Sequence, residues 1–294
     1  MTTRHFAIVG DPVAHSASPR MHAAAYVARG LDCTYEAIHA TLVDLPGVVA
    51  RLKSDELSGL NVTIPHKRRI LAYADAIDAG AETVAAANTL VRMADGRIVA
   101  HNTDVPAIAD ELRVLAAPLS KSAWREAHAL VLGTGATSRS AIVALAAHLG
   151  VAAITVRGRA LADPKTREAF RLEVSEILRR AISGTVLHLE PWSPSPETDR
   201  SVAAIVQTTN LGMDGADSGD LAVRAVAWDA VHRDAVALDV VYGRGKTPFV
   251  LAAEARGLRA AGGQGMLARQ GALAFELWLG APAPLEAMRA AISA

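Results

Sequence analysis

The chain has 294 residues, 51% hydrophobic and 20% charged, enough to bury a sizeable core and, as a prior, to form about two domains. Lys plus Arg equals Asp plus Glu at 30 each, which excludes a general electrostatic footprint for nucleic acid or an anionic membrane. A single cysteine, Cys33, excludes an intrachain disulfide and fits a reducing compartment, and no stretch reaches the ~18 apolar residues of a bilayer span.

The apolar run after Met1-Thr2-Thr3-Arg4-His5 is too short for a secretory signal, so the expectation is a cytoplasmic protein. Phe6 to Gly10 reads as a short buried strand, and Asp11-Pro12 opens a loop through Ser16 and Ser18. Ser18 is a natural helix cap, with Pro19 at the first helical position and Gly30 as the stop. Capping needs one serine, so Ser16 is the informative one. Free N–H groups and two hydroxyls at a helix start make a ready anion site. Cys33 falls in the next turn and reads as structural rather than nucleophilic. Thr34 to His39 alternates like a second strand, and Asp44 to Lys53 is helical.

In Asn61-Val62-Thr63-Ile64-Pro65-His66-Lys67, apolar Val62 and Ile64 alternate with polar Asn61 and Thr63. Such a polar strand face suits a polyhydroxylated ligand. Pro65 ends the strand, and Lys67 falls at or just inside a helix running through Ile70, Leu71 and Tyr73. A lysine beside a helix start is a candidate general base. The same letters also fit an ordinary strand end followed by a solvated Lys-Arg-Arg run. The segment to residue 87 reads as mostly helical. Asn88 to Met93 and Arg97 to His101 form a hairpin about Asp95-Gly96. Asp104 then precedes a helix from about Pro106 to Leu115, as its N-cap or as a functional carboxylate.

Composition shifts at residues 116–128, around Pro118, Ser120 and Lys121, marking a boundary. Ala129 to Leu132 is a buried strand. It feeds Gly133-Thr134-Gly135-Ala136-Thr137-Ser138 and a helix from Ser138 to His148, the strand–glycine turn–helix of a dinucleotide site. The next strand, Ala153 to Val156, ends in Arg157-Gly158-Arg159 instead of the acid typical of NAD enzymes. Two guanidinium groups there suit the 2′-phosphate of NADP, or else form a solvated basic turn. Lys165 to Arg180 is helical and Thr185 to Leu189 a strand. Ala203 to Gln207 is a strand ending at Thr208, and Ala235 to Val241, which includes Val240, ends at Tyr242. Thr247 to Arg256 is helical. Gly262-Gly263-Gln264-Gly265 is a glycine loop before a helix from about Leu267 to Leu279 that carries Gln270. The ten histidines show no H-E-x-x-H spacing, and aromatic and basic residues do not interleave, so neither a metal site nor nucleic-acid binding is expected.

These elements predict an α/β chain in two domains. A Rossmann-type doubly wound NADP-binding sheet covers 105–240. An α/β substrate domain is built from both chain ends, 1–104 and a returning 241–294.

Five stretches resemble the shikimate dehydrogenase family, in order. They are Gly10 to Pro19, Asn61 to Lys67, Ala87-Asn88-Thr89-Leu90, Asn102-Thr103-Asp104, and Gln270-Gly271-Ala272 to Trp278. The resemblance covers nearly the whole chain. It implies reversible, NADP-dependent reduction of 3-dehydroshikimate to shikimate, in a monomer or homodimer. Lys67 and Asp104 match the family's catalytic pair. Ser16 and Ser18 match its substrate-carboxylate ligands, and Asn61, Thr63, Asn88, Tyr242 and Gln270 complete the substrate set. The implied cofactor contacts are Gly133, Thr134, Gly135, Ala136, Thr137, Arg157, Arg159, Thr208, Val240 and Gly263. The chain departs from the usual pattern at Ala23, at His66, at Gly158 and Ala160 beside Arg159, and at Gly243-Arg244-Gly245. Quinate or aminoshikimate dehydrogenase is the sister reading. A non-catalytic NADP-binding sensor is the reading from a different class.

Overall fold

The computed structural model describes residues 3–117, 121–213, 215–243 and 245–293. Of the positions read above, Met1, Thr2, Pro118, Ser120 and Arg244 lie outside the described residues. The chain divides into two units, Met1–Asp104 with Leu267–Ala294, and Val105–Met266.

The first unit opens with β1 (Arg4–Gly10), α1 (Ser18–Arg29), β2 (Cys33–His39), α2 (Leu45–Lys53) and β3 (Gly59–Val62). After a 3-10 turn at Arg69–Tyr73 come β4 (Ala76–Ile77), α3 (Ala79–Val84), β5 (Thr89–Arg92) and β6 (Ile98–His101). The sheet order is β2-β1-β3-β5-β6-β4. β1 runs parallel to β2 and β3, whereas β5 is antiparallel to β3 and β6. The expected Asp95-Gly96 hairpin is present, with Gly96 at φ +86°, where a side chain would be strained. Val48, Val49 and Leu52 of α2 pack with Leu60, Val62, Leu90 and Ile98 in one core. Each such side chain stabilises the fold by roughly 1.5–3 kcal/mol through burial.

Three local readings change. Cys33 is the first residue of β2, not part of a turn. α1 is preceded by Ala17, whose side chain cannot cap, and Ser16 Oγ accepts from Ser18 N at 3.2 Å instead. No α-helix follows Lys67. Its carbonyl accepts from Ala87 N at 2.8 Å, so the acceptor that a helix would need is already taken.

The second unit begins with α4 (Asp104–Leu115), α5 (Lys121–Glu126), β7 (His128–Leu132) and α6 (Ala136–Val143), which runs on as a π-helical turn to Leu149. It continues through β8 (Ala153–Arg157), α7 (Pro164–Arg180), β9 (Val186–Glu190), α8 (Pro196–Ser201) and β10 (Val202–Gln207). α9 (Asp220–Val223), β11 (Val236–Asp239), α10 (Pro248–Ala255) and β12 (Arg259–Ala261) complete it. Every pairing in the sheet β12-β11-β10-β7-β8-β9 is parallel. Read from β9, this is the 3-2-1-4-5-6 order of a doubly wound dinucleotide fold, whose order reverses between β7 and β10. Leu130, Val131, Leu132, Ile205, Val206 and Leu238 are fully buried, as parallel strands covered on both faces require.

α11 (Gln264–Leu279) and α12 (Leu285–Ser293) carry the chain back to the first unit. The sequence places all of 241–294 there, but 241–266 belongs to the second unit, because β12 pairs with β11 and finishes that sheet. Among the described residues, no helix is long and apolar enough to cross a membrane.

Candidate active site

In the first unit a polar cluster forms where β3 and β6 end and β5 begins. Lys67 leaves β3 through the turn at Pro65, and its Nζ donates to Asp104 Oδ2 at 2.7 Å. Asp104 starts α4, and its backbone N–H donates to Asn102 Oδ1 at 3.1 Å. Asn102 thus closes the turn into α4, and the Asp104 carboxylate is directed at Lys67. The second carboxylate oxygen, Oδ1, accepts from Asn88 Nδ2 at 2.8 Å.

Asn88 is the hub. Its Nδ2 also donates to Thr103 Oγ1 at 2.9 Å, its Oδ1 accepts from Thr103 N at 2.8 Å, and Gln270 Oε1 lies 3.3 Å from Nδ2. Asn61 stands behind it. Its Nδ2 donates to Asn88 O and Thr89 Oγ1, and its Oδ1 accepts from Tyr35 Oη at 2.7 Å. Both Asn61 N–H groups are thus engaged by protein and Asn61 braces Asn88, while its Oδ1, accepting one bond from Tyr35, keeps a second lone pair. Thr103, Asn102, Thr89 and Tyr35 carry roles that the sequence reading did not assign. The repeated Asn-Thr at 88–89 and 102–103 was the available signal for three of them, and Tyr35 had none.

Ser16, half-buried, lies on the loop leaving β1, and Ser18, 2% exposed, is the first residue of α1. That loop is tied to the end of β3, with Asp11 N donating to Ile64 O at 2.8 Å and Thr63 N to Val9 O at 2.9 Å. A Cβ on Gly10 would meet Thr63 Cγ2 at 2.4 Å, so a glycine lets Thr63 stand over β1. His66 is fully buried, and its Nε2 donates to Ala40 O at 2.6 Å. It is a packing residue.

In the second unit the glycine turn follows β7. Gly133 sits at φ +115°, and a Cβ there would meet Thr208 Oγ1 at 2.8 Å and Thr209 Cγ2 at 2.9 Å. Thr208 lies on the crossing strand end and donates to Leu132 O at 2.6 Å. Gly135 is exposed with open space above it, Ala136 and Thr137 follow at the start of α6, and their helix N-terminus favours an anion. Arg139 braces this turn from below, donating to Thr134 O at 2.7 Å and Gly135 O at 2.8 Å while paired with Glu173. The sequence reading missed Arg139. A bare glycine pattern does not show what holds its carbonyls.

Arg157 is a correction. It is fully buried and donates to Glu190 Oε2, to both oxygens of Asp199, and to Ala225 O. With every N–H engaged it cannot reach a 2′-phosphate. Arg159 does face solvent, beside Asp217 at 3.5 Å. At the end of β11, Asp239 accepts from Thr247 Oγ1 at 2.6 Å, Val241 N at 2.9 Å and Gln207 Nε2 at 3.2 Å. Burial pushes its carboxyl up to about 6. This clip fixes the loop that carries Val240 and the half-buried Tyr242. Gly263 packs there, since a Cβ on it would run into Val240 O at 2.2 Å. The open glycine turn, the helix start and the exposed Arg159 fit a phosphorylated dinucleotide.

Residues 8–90 match the family model of the shikimate dehydrogenase substrate binding domain, and 263–292 match that of the shikimate 5′-dehydrogenase C-terminal domain. The NADP(+) shikimate dehydrogenase of Rhodospirillum rubrum is 35% identical, over 97% of this chain and 95% of that protein. The crystal structure of shikimate 5-dehydrogenase from Thermus thermophilus in complex with NADP(H) and shikimate is 31% identical. It covers 98% of both chains with a TM-score of 0.79. A 5-ketofructose reductase of Gluconobacter, 24% identical over 99% of this chain and 98% of its own, shares the fold at a TM-score of 0.83. Sequence identity above 30% along nearly the entire length, and family models matched toward both ends, agree with the Lys67–Asp104–Asn88 cluster: the chain belongs to the shikimate dehydrogenase family.

Proposed function

We propose that this chain catalyses the reversible, NADP-dependent interconversion of 3-dehydroshikimate and shikimate. The observation that carries the reading is the Lys67–Asp104 pair, 2.7 Å apart and aligned by Asn88. NADP, when bound, supplies the nicotinamide that exchanges a hydride with the carbon bearing the reacting oxygen. The proton of that oxygen is held by the Lys67–Asp104 pair, which gives it up when the ketone is reduced and takes it when the alcohol is oxidised. Asn88 fixes the carboxylate of the pair, and Asn61 fixes Asn88. Ser16 and Ser18 present hydroxyls to the substrate carboxylate, and Thr63, Asn88 and Gln270 present polar atoms to its ring hydroxyls. The glycine turn at Gly133 and Gly135 takes the cofactor pyrophosphate, and Arg159 its 2′-phosphate.

Incubating the protein with shikimate and NADP, and separately with quinate and an aminoshikimate, tests the reading by the rise of NADPH absorbance. The expected result is turnover that is fastest with shikimate. Turnover confined to quinate or an aminoshikimate moves the assignment to that ring acid. Binding of NADP without turnover of any of the three replaces the enzyme with a sensor.

A further inference from the structure

Gly133 N donates to Arg157 O at 2.8 Å, so the ends of β7 and β8 lie side by side. One step beyond, Thr134 and Gly158 face each other. A Cβ on Gly158 would meet Thr134 Cγ2 at 2.6 Å and Leu161 Cγ at 3.3 Å. Backbone conformation does not demand this glycine: its φ of −152° and ψ of 143° are ordinary extended values. The demand comes from Thr134. That residue cannot back away, because Arg139 holds its carbonyl at 2.7 Å and is itself paired twice with Glu173. A β-branched side chain is also stiff about χ1. Only a turn of the Thr134 side chain could make room.

The end of the second strand of a doubly wound sheet is where the adenosine ribose is read. Here Gly158 and Ala160, on either side of Arg159, have no side-chain donors. Asp163 is committed to the start of α7, accepting from Thr166 N at 2.7 Å. Arg157 is buried in its own network. Arg159 shares its charge with Asp217 across a surface pair, both about 60% exposed.

Resting on the NADP reading above, we propose that Thr134 is a specificity-determining residue for the cofactor. Its methyl group fills the space of a side chain at position 158, which leaves Arg159 without a neighbouring side-chain donor on its own strand end. Discrimination between NADP and NAD then depends on one solvated guanidinium, and position 158 can gain a phosphate ligand only after Thr134 is cut back.

The test is a double-mutant cycle of Thr134→Ala and Gly158→Ser, read by calorimetric titration of each protein with NADP+ and with NAD+ in the absence of substrate. In the native background, Gly158→Ser should weaken both cofactors about tenfold, because Thr134 is driven toward the ligand. In the Thr134→Ala background the same serine should cost NAD+ less than about twofold and tighten NADP+ by several fold. Equal factors in both backgrounds overturn the proposal. A fifth protein, Arg159→Ala, separates this from the reading beneath it. It should lose about tenfold or more in NADP+ affinity at constant NAD+ affinity. If both affinities are untouched, Arg159 does not read a 2′-phosphate, whatever the cycle gives.

Discussion

Lys67–Asp104 in the first unit and Arg157–Asp199 in the second are both short buried ion pairs, 2.7 and 3.0 Å, with side-chain exposures of 12% and 4% against 0% and 0%. They differ in how many of their hydrogen-bonding groups are spent. Arg157 has five N–H donors, and Nε, Nη1 and Nη2 together direct all of them at Glu190, Asp199 and Ala225 O. Asp199 also accepts from Ala227 N at 2.7 Å. Lys67 has three donors and directs one at Asp104. A saturated pair fastens β8 to α8. An unsaturated pair keeps donors for a ligand. Charge, burial and proximity do not distinguish a strut from a site; the unspent donor does.

The largest effect is expected at the strut. Arg157→Ala leaves the carboxylate of Asp199 buried without its cation and should cost about 3–5 kcal/mol, read as a lowered midpoint of urea unfolding. A midpoint close to native, with a selective rise in KM for NADP, would break the comparison by making Arg157 a ligand. Lys67→Ala should be read in rate. Its kcat falls by ~10²-fold or more, equivalent to about 2.7 kcal/mol, with a smaller change in KM. A near-native kcat removes Lys67 from the chemistry.

A smaller effect concerns a third kind of buried polar group. His22 is fully buried, stacked on Tyr35 with ring centroids 4.3 Å apart, and neither ring nitrogen has a hydrogen-bond partner. Burial lowers its pKa from 6.5 to about 3. The unfolded chain therefore takes up this proton first, so His22 costs stability progressively as pH falls from about 6.5 toward 3 and costs none above that window. His22→Phe should flatten the acid limb of unfolding free energy against pH while changing little at pH 8. An unchanged acid limb would mean that His22 is solvated or paired. Asp239 has the opposite sign. Its folded pKa of about 6 lies above the ordinary 3.8, so its contribution is full below 3.8 and is lost as pH rises to 6.

Legibility in the sequence followed the same division. Strong local patterns survived: the buried parallel strands, the Asp95-Gly96 turn and the glycine turn after β7 all stand where periodicity put them. The failures were non-local. Lys67 looked helical because its acceptor, taken by Ala87 twenty positions away, cannot be seen in a window of neighbours. Arg157 and Arg159 looked equivalent because Glu190 and Asp199 lie 33 and 42 residues along the chain. β12 was missed because Arg259-Ala260-Ala261 is three residues long and only half-buried. Asn61, Asn88 and Asp104 were picked out by type, but their order of dependence, with Asn61 bracing Asn88 and Asn88 bracing Asp104, needed distances.

Trp278 of α11 donates to Leu90 O at 2.9 Å and lies where a Cβ on Gly59 would stand, 2.4 Å from its Nε1. A residue near the end of the chain thus packs against both β3 and β5, the paired strands that frame Asn61, Asn88 and Lys67. On the ribosome, where domains generally form in the order they emerge, the second unit has all of its strands before this tryptophan exists. The first-born sheet must wait with an indole-sized slot unfilled while some 170 residues are made. The last packing contact of the first sheet is therefore made by a residue synthesised after every strand of the second unit.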